Sequence, residues 1–389
     1  MLRIIIALMG LVFWQFILPA QNAPFDNYLQ NVENNHPALK AFRSRMEAEM
    51  LGYKAENSLP DFQLLGYYLP FGVHSGPDYW EYEFSQNFEF PGTYAARSNW
   101  IDQNQARLES SYAEMRQNIL LEAKKKALQF IYLRKQAKQT AERTAQIRSL
   151  YQLNADSASS LDKQKARLIW LETQFAIEDK NRQVNELERE LKALNGGEEL
   201  NFKNDDYPDG VALPQYDSLW QRRKRTDPRL QRLEAESELA RKNLILTRRQ
   251  TLPEIGIGWN YQGFPQDHYS GFYAGLSIPL WRRGKEINIA KAEVSITEQE
   301  QNLAILRMRA EFLKRLSKYR RLTEKLAAYR ETLEQLNAGS ELSQALGRGE
   351  INFAEYHGEI SFFQDAEDRF LEMEYQLQSL RAELLAFRL

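Results

Sequence analysis

Between Tyr79 and Phe90 the chain alternates without a break. Trp80, Tyr82, Phe84, Gln86, Phe88 and Phe90 occupy one parity; Glu81, Glu83, Ser85, Asn87 and Glu89 occupy the other. Successive side chains of a strand point to opposite faces, so this period of two predicts a strand with an aromatic face and a carboxylate face. Further segments fit. Ile255, Ile257, Trp259 and Tyr261 alternate with Gly256, Gly258, Asn260 and Gln262. Phe272, Ala274, Leu276, Ile278 and Leu280 alternate with Tyr273, Gly275, Ser277 and Pro279, while the stretch from Phe62 to Phe71 is less regular but apolar and aromatic. Each is about ten residues, the length that crosses a bilayer when tilted. A soluble sheet with one face on a core also alternates. Four such strands in two hairpins, in a chain that begins with an export signal, predict a membrane barrel.

That signal is Arg3 followed by the apolar run Ile4 to Leu18, broken only by Gln15, with Pro19-Ala20-Gln21 where a peptidase would cut. The run is shorter than the ~20 residues of a spanning helix, so 1–20 reads as a secretory signal peptide and is set aside from the fold. With 51 Lys and Arg against 53 Asp and Glu, the chain offers no electrostatic case for nucleic acid. It has no cysteine, which excludes disulfides, thiolate metal sites, cysteine nucleophiles and N-terminal lipidation.

A spanning sheet must close, because an open edge leaves backbone groups unpaired in hydrocarbon. Four strands are too few. Two chains would supply eight, whose interior is filled by side chains; three would supply twelve and leave a passage. The pattern therefore predicts self-association, with a trimer as its simplest useful form.

The rest of the chain is helical in character and duplicated. His36-Pro37-Ala38-Leu39 is echoed by Asp227-Pro228-Arg229-Leu230, Leu59-Pro60-Asp61-Phe62 by Leu252-Pro253-Glu254-Ile255, and Leu161 by Phe353. A period of about 190 residues means duplication of a domain-sized unit. The expected division is a first repeat over 21–200, a linker over 201–225 and a second repeat over 226–389. Each repeat reads helix, hairpin, long helix, turn, helix. A helix is expected from about Phe25 to Asn57. A very long one follows from Tyr94 to Leu153, a stretch with no proline or glycine. Ser160 or Asp162 can cap the next helix, which runs to about Asn195. Asp227 to Gln250, Lys285 to Leu346 and a final helix complete the second repeat. The turns are Asn154 to Ser160 and Gly347 to Asn352. An ordinary soluble coiled coil would share this helical pattern.

At this point the chain resembles the TolC-like outer-membrane efflux family. The resemblance spans the mature sequence. It rests on the duplication, on Asn35-His36-Pro37-Ala38-Leu39, on the Leu-Pro entries to both hairpins, and on Leu276-Ser277-Ile278-Pro279-Leu280 followed by Gly284. The runs Phe84 to Gly92 and Gly349 to Tyr356 look most like the heavy-metal-efflux branch. Many members of that branch carry a lipidated cysteine, which this chain lacks. The resemblance implies a mainly α fold with a membrane β-barrel portion. Long antiparallel helices would form a periplasmic tunnel, and four strands per chain would build a 12-stranded trimeric barrel in the outer membrane. It implies an exit duct of a tripartite pump, with an inner-membrane transporter and a periplasmic adaptor, for substrates that include heavy-metal cations in that branch.

The candidate functional residues follow from the alternation and from the family. Glu81, Glu83 and Glu89 are expected to line the pore, and Trp80, Tyr82, Phe84, Phe88 and Phe90 to face lipid. Asn154, Asp156, Gly347, Arg348, Gly349 and Glu350 are expected at the periplasmic tip where the adaptor docks, with Gly347 and Gly349 both allowing left-handed backbone. Arg97, Arg282 and Arg283 are candidate partners for the lumenal carboxylates. No catalytic constellation, phosphate loop or metal-ligand spacing is present, so no enzyme, cofactor or metal site is expected. His36 sits at a helix entry, while His74 and His268 are expected in external hairpin loops. The competing reading is a periplasmic coiled-coil structural or adaptor protein without a barrel.

Overall fold

The computed structural model describes residues 23–70, 78–154, 160–200, 206–208, 213–264, 267–278, 283–335 and 338–389. The expected signal peptide, His74, Asp156, Pro279, Leu280 and Arg282 lie outside these residues. The chain forms two compact units. A turn unit comprises Met1–Glu33, Lys126–Leu213 and Asn337–Leu371; a sheet unit comprises Asn34–Lys125, Pro214–Leu336 and Glu372–Leu389.

The helix expected from Phe25 to Asn57 is two helices, α1 (Ala23–Asn35) and α2 (Pro37–Glu56). Pro37 has no N–H to give and is tolerated only at a helix start. His36 caps α2 by accepting the Ala38 N–H on Nδ1 at 3.2 Å. The segment expected as the second repeat shows the same device. The helix α5 (Tyr216–Thr226) precedes Pro228, and Asp227 caps α6 (Pro228–Arg249) by accepting the Arg229 N–H at 3.1 Å. The stretch expected as linker over 201–225 thus ends in a helix. Its apolar signal is only Leu219 and Trp220, both buried, beside the basic run Arg222 to Arg225, which reads as solvated chain. Within that run Arg223 is itself buried, paired with Asp227 at 3.0 Å and lying over the Phe312 ring.

The long helices are α3 (Pro91–Asn154), α4 (Ser160–Leu194), α7 (Arg283–Gln335), α8 (Ala338–Gly347) and α9 (Phe353–Leu384). The single helix expected from Lys285 to Leu346 is described as two, α7 and α8. The 64 residues of α3 span on the order of 96 Å at 1.5 Å each.

Four antiparallel strands form one sheet in the order β1 (Gln63–Leu69), β2 (Tyr79–Phe88), β3 (Glu254–Phe264) and β4 (Asp267–Ser277). The two hairpins, one from each expected repeat, join through β2 and β3. β1 and β4 are left as the edges.

Candidate functional site

The sheet register sorts every strand residue onto one of two faces. Leu64 is opposite Phe84, Phe84 opposite Trp259, and Trp259 opposite Phe272, so one face carries a row of large apolar side chains across all four strands. Trp80, Tyr82, Gln86 and Phe88 share that face with Tyr68, Ile257, Tyr261, Ala274 and Leu276. Their burial runs against a soluble sheet. Along β2 Trp80, Tyr82 and Phe84 are exposed while the interleaved Glu81 and Glu83 are half-buried. Phe84 is 45% exposed and Phe272 90%.

Over β2 to β4 the other face is polar and internally bonded, while β1 adds Leu65, Tyr67 and Leu69 to it. Glu81 accepts from the Asn260 amide at 2.9 Å, and Glu83 accepts from the Tyr273 hydroxyl. Tyr273 reaches Glu83 by crossing Gly258, where a Cβ would stand 2.6 Å from its ring. Gly258 is therefore demanded by the polar network, because any side chain at 258 would displace the tyrosine.

Glu89 and Phe90 depart from the expected alternation. β2 ends at Phe88, and both residues lie in the connection to α3. Pro91 cannot donate to a ladder and starts the helix instead. The Phe90 carbonyl accepts the Thr93 N–H at 2.7 Å, and the Glu89 carboxylate pairs with Arg97 at 2.6 Å. Glu89 is thus compensated within its own chain, while Glu81 and Glu83 hold neutral partners. Gln86, the one polar residue of its parity, is buried and donates to the Pro60 carbonyl at 2.5 Å and the Asn87 carbonyl at 3.2 Å. His268 lies in β4, not in a loop, and packs against Tyr261 with ring centroids 5.0 Å apart. The strand begins earlier than its apolar alternation does.

In the turn unit, residues from both sides of both helix–helix turns share one core. Ile147 and Ala166 flank the first turn; Leu346, Phe353, Tyr356 and Ile360 flank the second. Tyr151 and Trp170 stack at 6.5 Å beside them. The second turn is specified residue by residue. Gly349 has φ 71° and donates to the Leu346 carbonyl, and Glu350 donates to the Ala345 carbonyl, which together close the end of α8. Gly347 needs no such freedom, being the last residue of α8 with an ordinary φ, so only one of the two glycines is required by the backbone. Asn352 and Glu355 then exchange side-chain and backbone bonds at 2.9 and 2.8 Å, a reciprocal box that starts α9. Arg348 and Glu350 are exposed and 3.6 Å apart. Asn154 is the last residue of α3.

Sequence reading missed two features of this unit. The Asn352-x-x-Glu355 box was visible in the spacing. The other was not: Arg143 on α3 holds both Asp368 oxygens at 2.9 and 3.1 Å, Glu367 at 2.8 Å and the Gln364 carbonyl at 3.1 Å on α9, partners more than 200 residues away. His357 is half-buried; burial pushes its imidazole below its ordinary pKa, and Glu172 partly opposes the shift. Among the described residues no group of His, Asp and Glu is placed to hold a metal ion, and no helix is long and apolar enough to cross a membrane.

No protein-family model and no curated protein matches the sequence. Solved structures do match. The crystal structure of CusC, described with its folding and transmembrane channel formation, superposes with a TM-score of 0.76 at 16% identity, covering 94% of this chain and 92% of its own. A membrane protein from Pseudomonas aeruginosa gives 0.77 at 15% identity over 94% and 93%. The outer-membrane channel OprN gives 0.74 at 13% identity over 94% and 89%. Long helices and a small antiparallel sheet are shared over nearly the whole length, and the chain has the TolC-like fold of outer-membrane efflux channels.

Proposed function

We propose that the chain is a subunit of an outer-membrane efflux channel, a passive exit duct fed by an inner-membrane transporter through a periplasmic adaptor. Three copies close a 12-stranded barrel and continue it as a tunnel of helices. The observation that carries this reading is the uncovered aromatic face of the sheet. Leu64, Phe84, Phe272 and Leu276 stand 75%, 45%, 90% and 68% exposed on one side, and such a face is stable only against hydrocarbon or a partner. The exposed series Ile289, Ile296 and Leu303 on α7 supports the assembly, since apolar residues seven apart form the seam along which a second helix packs.

In this reading Trp80, Tyr82, Phe84 and Phe88 face lipid, and Glu81 and Glu83 face the lumen. Two carboxylates per chain, each bonded to a neutral partner, favour cations. Heavy-metal ions are a cargo of matching charge. The end with Asn154, Asp156, Gly347, Arg348, Gly349 and Glu350 docks the adaptor.

The test is reconstitution. Signal-cleaved protein is expected to enter vesicles as a heat-modifiable trimer and to give a mildly cation-selective reversal potential in a salt gradient. The double variant Glu81→Gln, Glu83→Gln is expected to lose that selectivity with trimer yield unchanged. Water-soluble protein that forms no trimer would favour a periplasmic coiled-coil protein instead.

A further inference from the structure

The aromatic face of the sheet is not evenly filled, and its one depression has the shape of a ligand site. Phe84, Trp259 and Phe272 form a row across β2, β3 and β4. One step toward the helices the row is Gln86, Ile257 and Ala274, all smaller. One step further stands Phe88. The small row is the floor of a trough of about 550 Å³ between taller walls. From this geometry, and resting on the channel reading above, we infer that the trough is a binding site for one acyl chain of a membrane phospholipid.

Three observations select that occupant. The trough holds no charged side chain. Gln86 on its floor is 5% exposed and spends its amide N–H groups on the Pro60 and Asn87 carbonyls, and Tyr273 gives its hydroxyl to Glu83 on the opposite face, so the floor offers little to a polar ligand. Positions 84 and 88 are about 13 Å apart along the strand, which admits one extended hydrocarbon chain between the bulky side chains but not a helix of ~10–12 Å. An extended peptide fails for a different reason. The strands below have already paired their backbone groups in the ladder, so a peptide laid across them would leave its own unpaired. A further copy of the chain adds at the edges, β1 and β4, and leaves this face open.

The site lies at the helix-proximal end of the strands: Phe88 closes β2 three residues before α3, and Pro60 precedes β1. In the channel reading that is the inner-leaflet side, so the ligand is a glycerophospholipid.

Trp259 in the wall and Trp80 at the far end of the same face report on it separately. The full-length mature protein is placed in phosphatidylcholine vesicles with increasing mole fractions of phosphatidylethanolamine brominated on its acyl chains. A quenched component is expected at roughly fivefold lower mole fraction than the remainder. Trp259→Phe is expected to remove that component and Trp80→Phe to retain it. Ala274→Phe, which fills the exposed floor, is expected to abolish it while trimers still form. Native mass spectrometry provides a second readout, with phospholipid retained by the wild type and lost in Ala274→Phe. Identical quenching curves for all variants, with trimers intact, would overturn the lipid site alone and mark the face as ordinary annular surface. A chain that never enters vesicles would overturn the site and the channel reading together.

Discussion

The sheet and the turn core use the same residue types to opposite ends. In the turn unit Phe353, Tyr356 and Ile360 are at most 9% exposed and pack on one another. In the sheet Phe84, Phe272 and Ile257 stand 45%, 90% and 47% exposed. Apolar area removed from water stabilises a fold by about 25 cal/mol per Å². The turn core gains that stabilisation within the chain. The sheet gains it only when something outside the chain covers its face. Fold stability and assembly are therefore assigned to different apolar clusters, and the same substitution should have different consequences in each.

Phe353→Ala gives the largest expected effect. It should cost about 3–5 kcal/mol, because it empties a buried site that the helix ends cannot collapse to fill. Phe84→Ala should stay within about 0.5 kcal/mol in the chain before lipid or detergent covers the face, as for an exposed position. Thermal melting with hydrogen exchange over residues 342–371 measures both. Equal losses would abolish the distinction between the two clusters.

Adding charge sharpens it from the other side. Phe84→Arg should weaken insertion into vesicles by roughly 2–4 kcal/mol, the cost of a lipid-facing arginine near the midplane. Glu83→Arg, one residue away, should insert normally and abolish the cation preference. Denaturant titration of folding into vesicles reads the first and the reversal potential the second. If Glu83→Arg blocks insertion while Phe84→Arg does not, the two faces have been assigned backwards.

The turn itself is the third test. Gly349→Leu places a side chain at φ 71° and should cost about 1–2 kcal/mol, seen as faster amide exchange near residues 346–356. Gly347→Ala sits in ordinary helix with open space at its Cβ and should be neutral or stabilising by up to ~1 kcal/mol. Similar losses from both would mean that the turn does not depend on left-handed backbone.

What the sequence disclosed tracks the range of the interactions involved. The parity of β2 was legible because it is a nearest-neighbour property, and Glu81, Glu83, Trp80, Tyr82 and Phe84 fall on the faces that the alternation assigned. The ends of β2 were not legible. The alternation runs on through Glu89 and Phe90, yet Pro91 and the Arg97 ion pair draw both residues out of the ladder. The helix α5 was hidden because its amphipathic signal is two residues long and its buried arginine is held by Asp227 and Phe312, the latter distant in sequence. The trough needed the register of three strands. Gln86 is the one amide in that parity of β2, and the Pro60 and Asn87 carbonyls explain how it lies there buried.

The smallest expected effect is the pH response of the turn core. His357 lies on α9 one residue after buried Tyr356, with Ser361 Oγ 3.4 Å from its Nδ1 and Glu172 of α4 as its charged neighbour. Burial is the larger influence and lowers the imidazole below its ordinary value of 6.5; Glu172 pulls the other way and does not overcome it. The folded unit therefore binds this proton less readily than the unfolded chain does. Above pH 6.5 the ring is neutral in both states and contributes no pH dependence. As the pH falls below 6.5 the unfolded state gains the proton first, so stability is lost until the depressed folded pKa is reached. His357→Gln should remove that part of the acid sensitivity and leave the melt at neutral pH nearly unchanged. Glu172→Gln should enlarge the sensitivity, since it removes the one group that favours the imidazolium. Melting curves of the three proteins between pH 5 and 8 compare the slopes. A wild-type protein that becomes more stable as the pH falls through this window, by an amount that His357→Gln abolishes, would show that Glu172 and not burial governs the ring.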